Sequence, residues 1–281
     1  MKTGLIMEGG AMRGMFTAGV FDVFLENGIE FDGAIGVSAG AAFGCNFKSR
    51  QIGRVIRYNK RFAKDPRFCS FRSLIKTGDL FGAEFCYHTI PNELDIFDTQ
   101  AYIENPMEFY VVCTDVETGK AVYINSDEAG EDALEYFRAS ASMPLVSRTV
   151  EIKDRKLLDG GIADSIPIQF FESIGYNRNV IILTQPLGYT KKPSSAAKLM
   201  KYALKDYPSV AEAMENRHNE YNETIEYILR KEAAGEVFVI RPETALEIGR
   251  IEHNPDVLQR VYDQGRAISE KNLEKIREFL K

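Results

Sequence analysis

Residues 34–43 read AIGVSAGAAF, an apolar run that passes through a serine into a string of small residues. The run Ala34–Val37 predicts a short β-strand, and the small residues that follow Ser38 predict the tightly packed start of a helix. Gly36 and Gly40 lie two residues to either side of Ser38, which gives the pattern G-x-S-x-G. Glycines at these positions permit a sharp turn that exposes a nucleophilic serine, although an ordinary small-residue turn shows the same pattern. The stretch therefore predicts a strand–turn–helix unit with Ser38 as a candidate nucleophile.

The same alternation continues along the chain. Short apolar runs alternate with longer segments of helical period, which is typical of an α/β protein with a mixed or largely parallel sheet. Strands are predicted at residues 4–7, 34–37, 108–113, 121–124, 155–158, 179–184 and 236–240. Helices are predicted at about 16–25, just before 143, from about 194 to 234, and from about 256 to the C-terminus. Because no linker-like break divides the sequence, we expect one domain over residues 1–281.

Composition narrows the classes of function. The chain has 281 residues and a formal net charge of −6, which argues against a general nucleic-acid-binding surface. Its four cysteines show no C-x-x-C spacing, so we expect reduced thiols and neither a zinc ribbon nor a redox motif. The longest apolar runs have the length of a strand, so any membrane contact would be peripheral. We expect a cytoplasmic protein with, at most, peripheral membrane contact.

A glycine-rich loop follows the first predicted strand. Residues 8–14 read EGGAMRG, and adjacent glycines allow the backbone N–H groups to face an anion such as a phosphate or an oxyanion. A dinucleotide fingerprint is the competing interpretation, because Glu30 and Asp32 lie about 20 residues further on. Against it, Ala11 replaces the second glycine of G-x-G-x-x-G, and the two acids precede the second strand. A nucleotide-binding oxidoreductase and a simple packing loop remain as alternatives.

A nucleophilic serine needs a base, and the sequence offers four candidates. His88 and His253 lie in no recognisable catalytic context, and His218 lies in a polar helical stretch typical of a solvated surface. The order Ser38, Asp159, His253 matches that of an α/β-hydrolase triad, but Ser38 comes too early in the chain for that fold. Asp159 ends an apolar strand and precedes Gly160 and Gly161, so its carboxylate can emerge at the strand end. In isolation, this D-G-G is also a common turn.

The stretches EGGAMRG, GVSAG and DGG, in this order, resemble the patatin-like phospholipase family. ASASMP at residues 139–144 and SIP at 165–167 extend the resemblance over about the first 185 residues. The resemblance implies a three-layer α/β/α sandwich with a central mixed, largely parallel sheet. It also implies that Ser38 is the nucleophile and Asp159 the general base of a Ser-Asp dyad without histidine. The oxyanion-hole loop is carried over to Gly9, Gly10, Ala11, Arg13 and Gly14.

Two positions of the loop depart from the family pattern. Glu8 stands where the family often has Asp, and Ala11 stands where it often has Gly. Because the donors are backbone N–H groups, Ala11 need not abolish the hole if its φ is negative.

The resemblance implies a serine lipid acyl hydrolase that cleaves fatty-acyl esters, such as phospholipids or lysophospholipids, through an acyl-enzyme. It implies no metal and no cofactor. Acyl transfer to an alcohol other than water would use the same residues. Two alternatives stay open at this point: an esterase with a histidine-containing triad, and a non-catalytic lipid-binding protein.

A basic stretch, Arg54–Lys76, contrasts with the acidic chain. It carries eight Lys or Arg against one acid, Asp65, with aromatic residues interleaved. Cations beside aromatics favour docking onto anionic lipid headgroups, at ~1 kcal/mol for each basic residue near the surface. The alternative is a solvated helix whose aromatic side chains pack inward.

Overall fold

Strands alternate with helices along the chain in the computed structural model, which describes residues 1–194 and 201–281. The strands are β1 Lys2–Met7, β2 Gly33–Val37, β3 Glu108–Asp115, β4 Ala121–Asn125, β5 Val150–Ile152, β6 Arg155–Asp159, β7 Tyr176–Ile182 and β8 Val237–Ile240. The α-helices are α1 Gly14–Glu26, α2 Ala39–Lys48, α3 Arg54–Phe62, α4 Phe71–Thr77, α5 Thr99–Glu104, α6 Ala133–Ser140, α7 Ile168–Ser173, α8 Pro208–Ala233 and α9 Pro255–Leu280. A π-helical segment spans Phe85–Leu94.

The strands form one sheet in the order β5-β6-β3-β2-β1-β7-β8, with β4 also paired to β3. The pairs from β3 through β2, β1 and β7 to β8 are all parallel. Strands β4, β5 and β6 add antiparallel pairs at one side. The sheet is therefore mixed and mostly parallel, as the sequence predicts.

Alternate residues of the central strands face opposite sides of the sheet, because successive side chains in a strand point in opposite directions. Leu5 and Met7 of β1 join a core with apolar residues of α1, α2 and α9. Ile6, between them, joins a second core with Phe171 of α7 and Ile228 of α8. Helices cover both faces of the sheet, which gives three layers.

The C-terminal part of the chain shares this sheet and core. Strand β8 pairs with β7, and α9 packs on α1, where the Tyr262 hydroxyl donates a buried hydrogen bond of 2.6 Å to Asp22. That residues 1–281 form a single domain stays a prediction.

Several elements differ from the sequence-based assignment, and the short helices α5 and α7 were not predicted. Strand β5 has three residues, too few to show an apolar period, and was not predicted. The long helical region predicted from about 194 to 234 contains α8, which begins at Pro208, a favoured residue for the first turn of a helix. Residues 195–200 of that region lie outside the described residues.

Candidate active site

Ser38 lies on a strained turn between β2 and α2. Its backbone has φ 55° and ψ −121°, a conformation that costs a non-glycine residue on the order of 1–3 kcal/mol. A Cβ on Gly36 would lie 2.6 Å from the Cα of Ala41, and one on Gly40 would lie 2.3 Å from the carbonyl oxygen of Met7. Both glycines are therefore required by close backbone approach. The G-x-S-x-G pattern is a sharp strand–turn–helix elbow in this chain.

The glycine-rich loop packs directly on the elbow. A Cβ on Gly9 would lie 3.0 Å from the Cβ of Ser38 and 2.9 Å from the carbonyl oxygen of Val37. Among the described residues, none accepts a hydrogen bond from the N–H of Gly9 or Gly10. These two N–H groups are thus available next to the Ser38 side chain, as an oxyanion site requires.

The other residues assigned to the oxyanion loop have different positions. The Arg13 N–H donates to the Gly10 carbonyl (3.2 Å), so it is already used. The Gly14 N–H caps the turn that Ala11 begins, and Gly14 packs against Phe43 outside the cavity. Of the five residues assigned to the oxyanion loop, Gly9, Gly10 and Ala11 therefore keep N–H groups with no acceptor among the described residues.

Ala11 has a φ of 50°, so the negative φ under which we expected alanine to be tolerated is absent. The left-handed conformation costs an L-residue about 1–2 kcal/mol, and glycine adopts it freely. The loop nevertheless keeps its turn with alanine at this position. Alanine at this position therefore introduces local backbone strain.

Glu8 anchors the loop at its base. The buried carboxylate accepts hydrogen bonds from the N–H (2.5 Å) and the hydroxyl (3.1 Å) of Thr184, which follows β7. Its second oxygen accepts from the hydroxyl of Tyr221 on α8 (2.9 Å). Glu8 thus ties the glycine loop both to the sheet and to the C-terminal helix α8.

Strand register brings Asp159 level with Ser38. Val37 pairs with Val112 of β3, and Asp159 pairs with Cys113 on the other side of β3. Ser38 and Asp159 therefore flank the same point of β3, two strand spacings or about 10 Å apart in the backbone. Two side chains that point toward each other bridge such a gap, and the Ser38 hydroxyl lies close enough to the Asp159 carboxyl to lower its pKa.

The Asp159 carboxyl is buried, with 2% of the residue exposed. Burial raises its pKa above the ordinary value, because the charged form loses hydration. The positive charge of Arg217, the Ser38 hydroxyl and the Gly161 N–H (2.8 Å) lower the pKa and partly offset burial. A desolvated carboxylate is a stronger base than one in water, which suits the removal of a proton from a hydroxyl.

The segment ASASMP at residues 139–144 holds Ser38 and Asp159 in place. The buried Ser140 hydroxyl donates to the Val112 carbonyl (2.6 Å) and accepts from the Ser38 N–H (2.9 Å). Two residues later, the Ser142 carbonyl accepts from the Asp159 N–H (2.9 Å). The sequence analysis included this segment in the family resemblance without assigning it a role. In the structure its hydrogen bonds fix the backbone of Ser38 and of Asp159.

Ser38, Asp159, Gly9, Gly10 and Ala11 line a cavity of about 460 Å³. The lining is rich in positive charge, most of it from the C-terminal half of the chain. The five cationic residues of the lining, called the cationic wall below, are Arg13, Lys191, Lys192, Arg217 and Arg250. Met214, His218 and Tyr221 of α8 also line the cavity.

The three histidines occupy different places. The His253 ring contacts the Ala63 carbonyl (2.6 Å), and His88 lies 3.3 Å from Glu135. His218 is half-buried in the cavity lining, which corrects the expectation of a solvated surface residue. Its Nδ1 lies 2.9 Å from the Glu215 carbonyl, and among the described residues no histidine is hydrogen-bonded to Ser38 or Asp159.

The basic stretch Arg54–Lys76 lies outside the described lining of this cavity, and three of its eight cations are ion-paired. Arg54 is buried in an ion pair with Asp95 (3.3 Å), which also pairs with Arg57 (2.8 Å). Helix α4 differs, because Phe71 and Ile75 are 73% and 86% exposed. The alternative in which the aromatic side chains pack inward is therefore correct for Phe62 and Phe68, which are buried, and wrong for Phe71 of α4.

Sequence reasoning missed the part of the cavity that α8 supplies. Met214, Arg217, His218 and Tyr221 have the spacing i, i+3, i+4, i+7, which places them on one helical face. This spacing could have predicted a common helical face within the largely polar stretch. The sequence did not indicate that this face lines the cavity of Ser38, because α8 lies far from Ser38 along the chain.

The described residues hold neither a candidate metal cluster nor a membrane-spanning helix. No group of three or more His, Cys, Asp or Glu side chains is placed to hold a metal ion. No described helix combines the length and apolar character that crossing a bilayer requires.

Comparisons with known proteins place the chain in a family. The sequence profile of "Patatin-like phospholipase" matches residues 5–171, and a "Domain of unknown function (DUF6363)" matches residues 207–281. The uncharacterized protein YjjU of Escherichia coli is 31% identical over 196 residues, covering 66% of this chain and 52% of that protein. An uncharacterized NTE family protein of Mycobacterium bovis is 26% identical over 167 residues, covering 59% of this chain and 44% of that protein.

The chain thus spans about half the length of these curated relatives. Among solved structures, VipD from Legionella pneumophila is similar with a TM-score of 0.49 and 12% identity, covering 98% of this chain and 67% of that one. Because the phospholipase profile matches more than half of the residues, the chain belongs to the patatin-like phospholipase family.

Proposed function

We propose that this protein is a serine-dependent hydrolase of fatty-acyl esters, with Ser38 as nucleophile and Asp159 as general base. The observation that carries the proposal is the placement of Ser38, on its strained elbow, beside the buried Asp159 carboxyl in one cavity. Strain at a non-glycine residue persists only where the surroundings impose it, and it concentrates at functional sites.

The chemistry follows from these positions. Asp159 accepts the proton of the Ser38 hydroxyl while Oγ attacks the ester carbonyl, and the N–H groups of Gly9 and Gly10 stabilise the oxyanion. The tetrahedral intermediate collapses to an acyl-enzyme, and the departing alcohol takes the proton from Asp159. Water then gives a proton to Asp159 and attacks the acyl group. Collapse releases the carboxylic acid and returns the proton to Ser38.

The dyad has no histidine, so its base must be activated by its surroundings. Burial raises the pKa of Asp159, and the positive charge of Arg217 partly offsets this rise. A carboxylate that has lost hydration is a stronger base than one in water, which supports its role as the base. The competing triad with His253 is not supported, because that ring is hydrogen-bonded to the Ala63 carbonyl outside the cavity lining.

Hydrolysis of a p-nitrophenyl fatty-acyl ester tests the proposal. We expect Ser38→Ala and Asp159→Asn each to lose activity by at least about a thousandfold while keeping the circular dichroism spectrum of the wild type. His253→Ala should keep its activity, which separates the dyad from a triad. Activity that survives in Ser38→Ala would contradict the proposal, and a wild type that binds lipid without turnover would favour a lipid-binding protein.

A further inference from the structure

Helix α8 meets the cavity with one face that is bonded to both sides of the candidate active site. Nε of Arg217 donates to the Gly161 carbonyl, in the turn that follows Asp159. One helical turn later, the Tyr221 hydroxyl donates a hydrogen bond of 2.9 Å to Oε1 of Glu8, at the start of the glycine loop. Residues four apart lie on the same side of a helix, so a single face of α8 contacts the base and the oxyanion loop.

The Glu8 carboxylate connects Tyr221 to the glycine loop. Its Oε2 accepts from the N–H (2.5 Å) and the hydroxyl (3.1 Å) of Thr184. A Cβ on Gly10 would lie 2.8 Å from the Thr184 hydroxyl oxygen, so the loop packs directly on the residue that Glu8 holds. Glu8 thus fixes the loop at its base and, through Thr184, at Gly10.

The Tyr221 side chain is itself fixed and stays protonated. The residue is 2% exposed, its ring packs edge to face on Tyr189 with centroids 6.0 Å apart, and the Lys191 ammonium lies 4.0 Å from the ring centre. Burial and the neighbouring charge of Glu8 raise the pKa of Tyr221, so the phenol keeps its proton for the hydrogen bond to Glu8. Its hydroxyl is therefore a fixed donor.

The length of the side chain at position 8 matters for this arrangement. Thr184 follows β7, the strand next to β1, whereas Tyr221 reaches the carboxylate from α8. Aspartate, with one methylene fewer, would be shorter by about 1.5 Å. Its carboxylate would stay with the neighbouring Thr184 and would fall short of hydrogen-bond distance to Tyr221. The departure from the Asp of the family pattern thus has a physical reason, which is a partner on α8.

We propose that Tyr221 is a positioning residue, which holds the glycine loop through Glu8 so that the loop N–H groups face the oxyanion formed at Ser38. Each such donor is typically worth about 10²–10³ in kcat, and only when it is correctly placed. Tyr221 lies within residues 207–281, which match a domain of unknown function, and the other groups lie within the phospholipase match, residues 5–171. The C-terminal region therefore completes the oxyanion site. This inference rests on the proposed ester hydrolysis.

Tyr221→Phe tests the role, because phenylalanine keeps the ring that lines the cavity and loses the hydroxyl alone. We expect kcat for a p-nitrophenyl ester to fall by about ten- to a hundredfold, with KM within about twofold of the wild-type value. The lost hydrogen bond acts on the loop, and the groups around the bound ester are otherwise unchanged.

A trifluoromethyl ketone with the same acyl chain reports the oxyanion site separately. Oγ of Ser38 adds to its carbonyl carbon, the hydroxyl proton passes to Asp159, and the carbonyl oxygen takes the electron pair and becomes an oxyanion. We expect the inhibition constant to rise in Tyr221→Phe by about the factor by which kcat falls, because the ketone adduct resembles the transition state. A variant that is merely less stable would bind the ketone as the wild type does.

The matched control is Tyr227→Phe. Tyr227 also lies on α8, and its hydroxyl donates a hydrogen bond of 2.5 Å to Glu172, outside the described lining of the cavity. This variant should keep kcat and the inhibition constant at the wild-type values. An equal loss in Tyr227→Phe and Tyr221→Phe would overturn the proposal, because any weakening of α8 would then suffice.

A double-mutant cycle tests whether Tyr221 acts through Glu8. Glu8→Asp should lower kcat by about tenfold, and adding Tyr221→Phe to it should cost less than about twofold more, because the shared hydrogen bond is already lost. If Tyr221→Phe costs the same factor in both backgrounds, the two residues act independently and the proposal is wrong.

Two other outcomes separate this inference from the proposed function. Wild-type kcat and ketone binding in Tyr221→Phe, or a raised KM alone, would overturn the positioning role and leave ester hydrolysis at Ser38 standing. A wild type that neither hydrolyses the ester nor binds the ketone would contradict the proposed function, and the positioning role would fail with it.

Discussion

Replacing Ser140 by alanine removes the group that fixes the backbone of the candidate nucleophile. The Ser140 hydroxyl is fully buried and links the Ser38 N–H (2.9 Å) to the Val112 carbonyl of β3 (2.6 Å). Without it, a donor and an acceptor lose their partner inside the protein. Each loss costs about 1–3 kcal/mol, so we expect the free energy of unfolding to fall by roughly 2–6 kcal/mol.

Activity should fall further than stability alone explains. Ser38 keeps its positive φ only while the surroundings hold it there, and small misplacement of a reacting group costs about a hundredfold in rate. We expect kcat to drop by about ten- to a hundredfold with KM nearly unchanged, because Ser140 does not line the cavity. Stopped assays with a p-nitrophenyl ester and urea unfolding measure the two effects.

The matched control is Ser126→Ala. Ser126 is also buried, and its hydroxyl donates to the Phe109 carbonyl of β3 (2.8 Å) and meets the Tyr102 hydroxyl (2.6 Å). It should lose comparable stability and keep kcat near the wild-type value. If Ser140→Ala keeps wild-type kcat, or if both variants lose activity equally, Ser140 does not position the nucleophile.

Three further outcomes are expected. Ala11→Gly should relieve about 1–2 kcal/mol of left-handed strain and lose about 0.4–1 kcal/mol to the freer unfolded chain. We expect a net gain of up to about 1.6 kcal/mol in the free energy of unfolding by urea, and a clear loss would mean that the positive φ is unstrained. Arg217→Gln should raise the pKa of Asp159, because it removes a positive charge that lowers this pKa. Activity is lost as pH falls through that pKa, so the acidic limb of the pH profile of kcat/KM for an uncharged ester should move to higher pH. An acidic limb at the wild-type pH would exclude Asp159 as the base. The double variant Phe71→Ser and Ile75→Ser should weaken co-sedimentation with anionic vesicles by roughly tenfold or more if α4 docks on membranes, and unchanged binding would remove that role from α4.

Local patterns predicted the parts of the fold that depend on neighbouring residues. The β2–Ser38–α2 elbow follows from a strand-length apolar run, two glycines and a run of small residues within ten positions. The same holds for the glycine loop after β1 and for the D-G-G turn after β6. Each of these features is set by close approach of the backbone to itself.

The pairing of strands that lie far apart in the chain could not be predicted from the sequence. The contact of Ser38 with Asp159 depends on the register of β2 and β6 on β3, and no local signal fixes a register between strands so far apart. The cationic wall likewise depends on where α8 packs. The positive φ of Ala11 could not be read from an alanine, since only its neighbours impose it.

The central claim is that Ser38 is a nucleophile activated by Asp159, and covalent labelling tests it most directly. A fluorophosphonate probe reacts with an activated serine, and peptide mass spectrometry locates the adduct. The account predicts an adduct on Ser38 in the wild type, and labelling slowed by at least about a hundredfold in Asp159→Asn under the same conditions. A wild type that leaves Ser38 unlabelled, or an Asp159→Asn variant labelled at the wild-type rate, would contradict it.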